Sequence, residues 1–193
     1  GHGIELAPVS GYPALLQQML GKGYWVKNFG VSGCTLLKHG DMPYVNEMAW
    51  KDAQAFNPDI VVIKLGTNDS KPQNWKYASE FKQDLQQMIT TLCPALAQTA
   101  KKGKKAKSAP VKPQIYLCTP IPALKTSWNI NDEIIANEII PIQQEVARQY
   151  GLQLIDFHTL FANDGDKMQA DGIHPDDKGV RRIAEIVAAE LKK

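Results

Sequence analysis

The chain has 193 residues, 44% hydrophobic and 22% charged, with 14 Gly and 12 Pro; this is the composition of one ordinary globular domain, not of a disordered or fibrous polymer. Its longest uncharged apolar runs, such as Ile60–Ile63, fall far short of the roughly 18 residues that a membrane span needs. Three cysteines, Cys34, Cys93 and Cys118, are too few for a disulfide scaffold.

The formal charge of +2 hides a local imbalance. Lys101, Lys102, Lys104, Lys105, Lys107 and Lys112 are six of the 22 cationic residues, and without them 16 cations face 20 acids. That basic stretch, residues 99–112, carries Gly103 and Pro110 and no apolar periodicity, so it is expected to be a solvated surface loop. No aromatic residue interleaves its lysines to stack a base, which argues against a nucleic-acid surface.

Apolar spacing predicts alternating helices and strands along a single domain covering residues 1–193, the pattern of a parallel sheet covered on both faces. Tyr12, Leu15, Leu16, Met19 and Leu20 share one helical face, ending at Gly21 and Gly23. A strand is expected over 25–29, then a Gly/Ser/Thr-rich turn over 30–40 and a helix over 46–56 that stops before Pro58. Residues 60–65 form an apolar run interrupted only by Lys64, as a buried strand requires. A polar loop over 66–74 precedes a helix whose Phe81, Leu85, Met88, Ile89 and Leu92 align.

Past the basic stretch, residues 115–118 read as a strand ended by Pro120 and Pro122. A helix over 132–150 is expected to kink at Pro141 and end at Gly151, followed by a strand over 152–157. Val180, Ile183, Ala184, Val187, Ala188 and Leu191 form the stripe of a last helix, with Asp176 and Asp177 at its positive end.

In open α/β sheets functional groups gather beyond the carboxyl ends of the strands, and three loops there carry candidate chemistry. They are Asn28-Phe29-Gly30-Val31-Ser32-Gly33-Cys34-Thr35, Gly66-Thr67-Asn68-Asp69 and Asp171-Gly172-Ile173-His174-Pro175. Taken singly, an Asp three residues before a His could bind a metal, orient a catalytic imidazole or cap a helix.

Together and in this order they resemble the SGNH hydrolases, the GDSL esterase and lipase family, over nearly the whole chain. Gly33 matches the family's second block, Asn68 its third, and Asp171 and His174 its fifth. The runs 66–75 and 137–141 are similar to the branch of sialate O-acetylesterase-like carbohydrate esterases. The resemblance implies a three-layer α/β/α, flavodoxin-like fold with about five parallel strands in the order 2-1-3-4-5.

It further implies a serine esterase that removes acyl groups, acetyl above all, from a carbohydrate with no metal or organic cofactor. His174 would be the general base, Asp171 its orienting carboxylate, and Gly33 and Asn68 the oxyanion donors. The family's first block, Gly-Asp-Ser, which supplies the nucleophile, does not occur in this chain, and Gly1-His2-Gly3 is similar to the tail of that block. The nucleophilic Ser and the first strand are therefore expected to precede residue 1, leaving an interior position of the sheet unfilled. His2 is expected to face the site, and an exported location follows as a family-based expectation.

Other candidates have bland readings. Ser10, Ser32 and Ser70 are expected in turns or caps. His39 and His158 have no carboxylate at useful spacing and read as surface or packing residues. Cys34 reads as a small buried hydrophobe or a pocket lining, and Asp69 as the holder of the Asn68 loop. Trp75 and Trp128 lie in loops after strands, where an aromatic ring stacks on a sugar or packs in a core.

A lysophospholipase or thioesterase would use the same residues, and a non-catalytic glycan-binding module would keep the pocket without the nucleophile. A nucleotide site has little support, with neither a Gly-x-Gly-x-x-Gly after a strand nor a Walker lysine.

Overall fold

Along the strand Ile60–Ile63, alternate side chains enter different cores, Val61 and Ile63 on one side and Val62 on the other. A strand buried on both faces must do this, because successive residues point in opposite directions. The computed structural model describes residues 2–6, 11–101 and 111–193. Five strands, β1 (His2–Leu6), β2 (Trp25–Asn28), β3 (Ile60–Ile63), β4 (Gln114–Cys118) and β5 (Gln153–Ile155), run parallel in the order β2-β1-β3-β4-β5.

The expectation of a missing interior strand is corrected here. Residues 2–6 occupy that position, with His2 in register with Trp25 on one side and Gly3 with Ile60 on the other. An unfilled position would leave two facing rows of backbone donors and acceptors without partners. Five consecutive extended residues suffice to pair them.

The helices are α1 (Tyr12–Leu20), α2 (Met48–Ala55), α3 (Pro72–Trp75), α4 (Phe81–Leu92), α5 (Ala95–Lys101), α6 (Asp132–Ile134), α7 (Ile140–Tyr150), α8 (Phe157–Leu160) and α9 (Asp177–Leu191). One face of the sheet is covered by α2, α4 and α7, whose Trp50, Leu85, Ile89 and Val146 pack with Val61, Ile63, Ile115 and Leu117. The other is covered by α1 and α9, whose Leu16, Ile183 and Val187 pack with Val62, Tyr116 and Ile155. The architecture is thus the three-layer α/β/α sandwich.

Local signals set the helix ends. Asp176 accepts a hydrogen bond from the Gly179 N–H at 2.9 Å and caps α9. The kink expected at Pro141 takes the form of a π turn over Ile135–Ile139, in which the Ile140 N–H reaches back to the Ile135 carbonyl. Proline at 141 has no N–H to give and its ring crowds the preceding turn, so the widened turn absorbs it within one helical run. α5 extends to Lys101, into the stretch expected as a loop, and residues 102–110 of that stretch lie outside the described residues. Among the described residues no helix is long and apolar enough to cross a membrane.

Candidate active site

The loops that leave the carboxyl ends of β2 and β3 are tied to each other. The Asp69 carboxylate accepts the Leu36 N–H at 3.0 Å and the Leu37 N–H at 2.8 Å. The Asn68 side-chain amide donates to the Cys34 carbonyl at 3.4 Å, while the Asn74 amide donates to the Asn68 carbonyl at 2.8 Å and to Asp41 at 3.2 Å. Burial pushes the Asp69 carboxyl up to about 6, against the pull of the Leu37 and Leu36 N–H groups. Its position is that of a tie, below the cavity and out of reach of solvent.

Gly33 sits in this frame with φ +84°, a left-handed conformation that a side chain would strain. Among the described residues its N–H has no backbone partner.

The third loop is closed by short-range bonds and anchored from afar by the Leu124 N–H, which donates to the Gly172 carbonyl at 2.8 Å, and by the Ser127 hydroxyl, which donates to the Asp171 carbonyl at 2.7 Å. Asp171 accepts the Ile173 N–H at 2.7 Å and the His174 N–H at 2.9 Å through one oxygen, and meets His174 Nδ1 at 2.7 Å through the other. Burial pushes the Asp171 pKa up, but the backbone N–H of His174, its ring and the Ile173 N–H together outweigh this and hold the carboxyl below its ordinary value. Gly172 makes the bend possible. It has φ +71°, and a Cβ there would stand 2.7 Å from the Lys125 Cγ. With Nδ1 engaged by a carboxylate, the neutral ring carries its proton on Nδ1 and leaves the Nε2 lone pair available.

A cavity of about 300 Å³ opens between the three loops, lined by Gly33, Asn68 and His174 with Trp128 and Ser32. Three residues separated by 35 and then 106 positions thus share one space, with Asp171 behind the imidazole. Trp128 is 58% exposed at the mouth, its ring edge-on to His174 with centroids 5.6 Å apart. Trp128 and Asn129 have φ of 55° and 63°, a left-handed pair that costs about 1 kcal/mol or more and clusters at functional sites.

Several expectations are corrected. Trp75 lies in the core at 9% exposure, its ring edge-on to Phe81, and does not line the cavity; α3 turns it inward. His2 opens β1 at the amino end of the sheet, in register with the first residue of β2, whereas the cavity lies at the carboxyl end. His39 and His158 do have carboxylates, supplied from far along the chain: Glu80 at 2.7 Å from His39 Nδ1, and Asp132 at 3.0 Å from His158 Nε2. Spacing in sequence could not reveal partners 41 and 26 residues away.

Of the serines, Ser70 is buried, donating to the Thr67 carbonyl at 2.7 Å and accepting the Asn131 N–H at 3.0 Å, so its hydroxyl is structural. Ser32 is exposed and lines the cavity, and Ser10 lies outside the described residues. Cys34 also lines the cavity, but burial, Glu47 and Asp69 push its thiol up to about 12, leaving it neutral and a poor nucleophile at neutral pH. Sequence reasoning passed over Lys64 and Lys71, both in the lining. The available signal was their position, at the end of β3 and in the polar loop after it.

This fold and site define a class. The model of the GDSL-like lipase/acylhydrolase family matches residues 1–182, and the chain belongs to that family. It is 68% identical over 195 aligned positions to an acetylxylan esterase of Xylanibacter ruminicola, covering 100% of this chain and 41% of that protein. The chain therefore spans about two fifths of the length of that curated relative.

Among solved structures, an inhibitor-bound aryl esterase of M. smegmatis superposes with a TM-score of 0.75 at 18% identity, over 99% of this chain and 98% of that one. A lipase/acylhydrolase of Enterococcus faecalis gives 0.72 at 20% identity, over 100% and 96%. The acetyl xylan esterase AlAXEase gives 0.68 at 20% identity, over 99% and 100%. These structures share the fold.

Proposed function

We propose that the protein is a carboxylic ester hydrolase that removes acetyl groups from a carbohydrate. The observation that carries this is the Asp171–His174 pair, 2.7 Å apart, in a loop that shares its cavity with Gly33 and Asn68. Family membership and the relative that is an acetylxylan esterase support the ester and the sugar.

His174 Nε2 takes the proton of a serine hydroxyl as its oxygen attacks the acyl carbon. The carbonyl π electrons move onto oxygen, where the Gly33 N–H and the Asn68 amide donate to the developing charge; such a donor is worth about 2.7–4 kcal/mol. Asp171 holds Nδ1–H throughout, and its low pKa keeps it ionised to face the imidazolium. The imidazolium returns the proton to the departing sugar oxygen. Water, activated by the same nitrogen, then releases acetate.

A cavity of about 300 Å³ with an exposed Trp128 at its mouth suits a short acyl group on a flat sugar ring better than a long acyl chain, which disfavours the lysophospholipase reading. A serine-directed fluorophosphonate probe with peptide mapping tests the proposal and names the nucleophile. The expected result is one labelled serine and acetate release from acetylated xylan, both lost in His174→Ala. Saccharide binding with neither labelling nor acetate release, even when a Gly-Asp-Ser block stands ahead of Gly1, would instead make the protein a glycan-binding module.

A further inference from the structure

Among the described residues, the cavity lining contains two lysines, Lys64 and Lys71, and no aspartate or glutamate. Asp171 is close by, but its charge is spent on the His174 ring and two backbone N–H groups. Lys64 is 7% exposed, with Nζ 5.8 Å from the Phe157 ring centroid, so its ammonium is anchored inside the fold. Lys71 is different: it is half-buried at the rim, and among the described residues its ammonium has neither a hydrogen bond nor an ion pair.

Its backbone, by contrast, is held firmly. The Lys71 carbonyl accepts from Asn74 at 2.9 Å and Trp75 at 2.8 Å, and its N–H reaches Asn68 at 3.3 Å. A fixed backbone carrying an unpaired cation beside a cavity with no acid among its described lining residues is an arrangement that recognises an anion. The hydrolysis proposed above uses neither lysine, and a neutral acetylated sugar would leave Lys71 unmatched while Trp128 covers its ring.

We propose that the site selects acetyl esters borne by an acidic saccharide, with Lys71 pairing the carboxylate of a uronosyl unit beside the sugar that occupies the cavity. The inference rests on the carbohydrate-ester reading above and adds the charge of the substrate to it. Lys71 is a specificity-determining residue in this account and takes no part in the bond changes.

The test is direct binding, which needs no turnover. Isothermal titration compares a xylo-oligosaccharide bearing one glucuronosyl branch with the same oligosaccharide reduced at the carboxyl to the alcohol, in about 0.02 M and about 0.5 M salt. The acidic ligand is expected to bind about tenfold tighter at low salt, falling to under about twofold at high salt. Lys71→Gln removes the preference while still binding the reduced ligand, and Lys71→Arg retains it. Equal affinity of wild type for the two ligands, or a preference that survives Lys71→Gln, overturns the proposal and leaves the carbohydrate reading in place. Failure of both ligands to bind overturns the two together.

Discussion

The Gly33–Asn68 side of the cavity is held by hydrogen bonds that cross 33 and 32 residues of sequence, from Leu36 and Leu37 to the Asp69 side chain. On the other side, among the described residues, the Asp171 side chain is engaged only by Ile173 and His174, two and three residues away, and distant Leu124 and Ser127 reach that loop through its backbone carbonyls. The first side is buried and the second faces water, with the His174 side chain 49% exposed. Donors that must point at a developing charge gain from a frame that cannot relax. A base that gives and takes a proton needs only its tautomer and direction, which one neighbouring carboxylate supplies. Substitutions on the two sides should therefore separate stability from turnover.

The largest effect is expected from His174→Ala, which should lower kcat on p-nitrophenyl acetate by about 10³-fold or more. Its thermal midpoint should stay close to that of the wild type, because the side chain is half-exposed. A parallel fall in the midpoint would show that the two sides are coupled in folding.

Asp69→Ala should do the reverse and unfold the protein more easily. It strips the acceptor from two buried N–H groups at about 1–3 kcal/mol each, a loss that urea denaturation measures directly. Asp171→Ala leaves its N–H groups near solvent, so a loss of about 1 kcal/mol is expected there beside a large fall in turnover. Equal destabilisation by the two would erase the contrast.

At the mouth, Trp128→Ala should raise the KM for an acetylated saccharide by up to about tenfold, the equivalent of one lost aromatic contact. An unchanged KM would remove the ring from the binding surface.

The smallest effect is in pH. Because the folded Asp69 carboxyl is raised from 3.8 to about 6, the folded state binds more protons than the unfolded one over that range. Its contribution to stability is fully present below pH 4 and is lost as pH rises toward 6. The Asp171 pKa is lowered, so its contribution is present above its ordinary value and is lost as pH falls below it. Urea midpoints of wild type and Asp69→Asn between about pH 4 and 7 should differ in slope with that sign, and identical slopes would refute the raised pKa.

The two tryptophans show where sequence reasoning stops. Trp75 and Trp128 each follow a strand and a polar loop, yet one packs on Phe81 in the core and the other stands at the cavity mouth. The choice is made by a short helix turning inward and by a left-handed pair of residues turning outward, neither of which has a periodic signal. The same limit applies to β1, whose five residues become an interior strand through the pairing rows on either side. It applies equally to His158, whose carboxylate lies 26 residues upstream.

Sequence by itself determined what depends on near neighbours. The stripe Val180, Ile183, Ala184 and Val187 dictates a helix buried on one face, the β3 run dictates a strand buried on two, and Asp171 with His174 needs only a tight bend through Gly172 to close a hydrogen bond. Tertiary structure alone decided that Gly33, Asn68 and His174 line one cavity, that Asp69 locks two of its loops from below, and that Lys71 rather than an acid stands at its rim. Those placements depend on parallel strands bringing their carboxyl ends together, and such long-range pairing is set by the packing of the whole sheet.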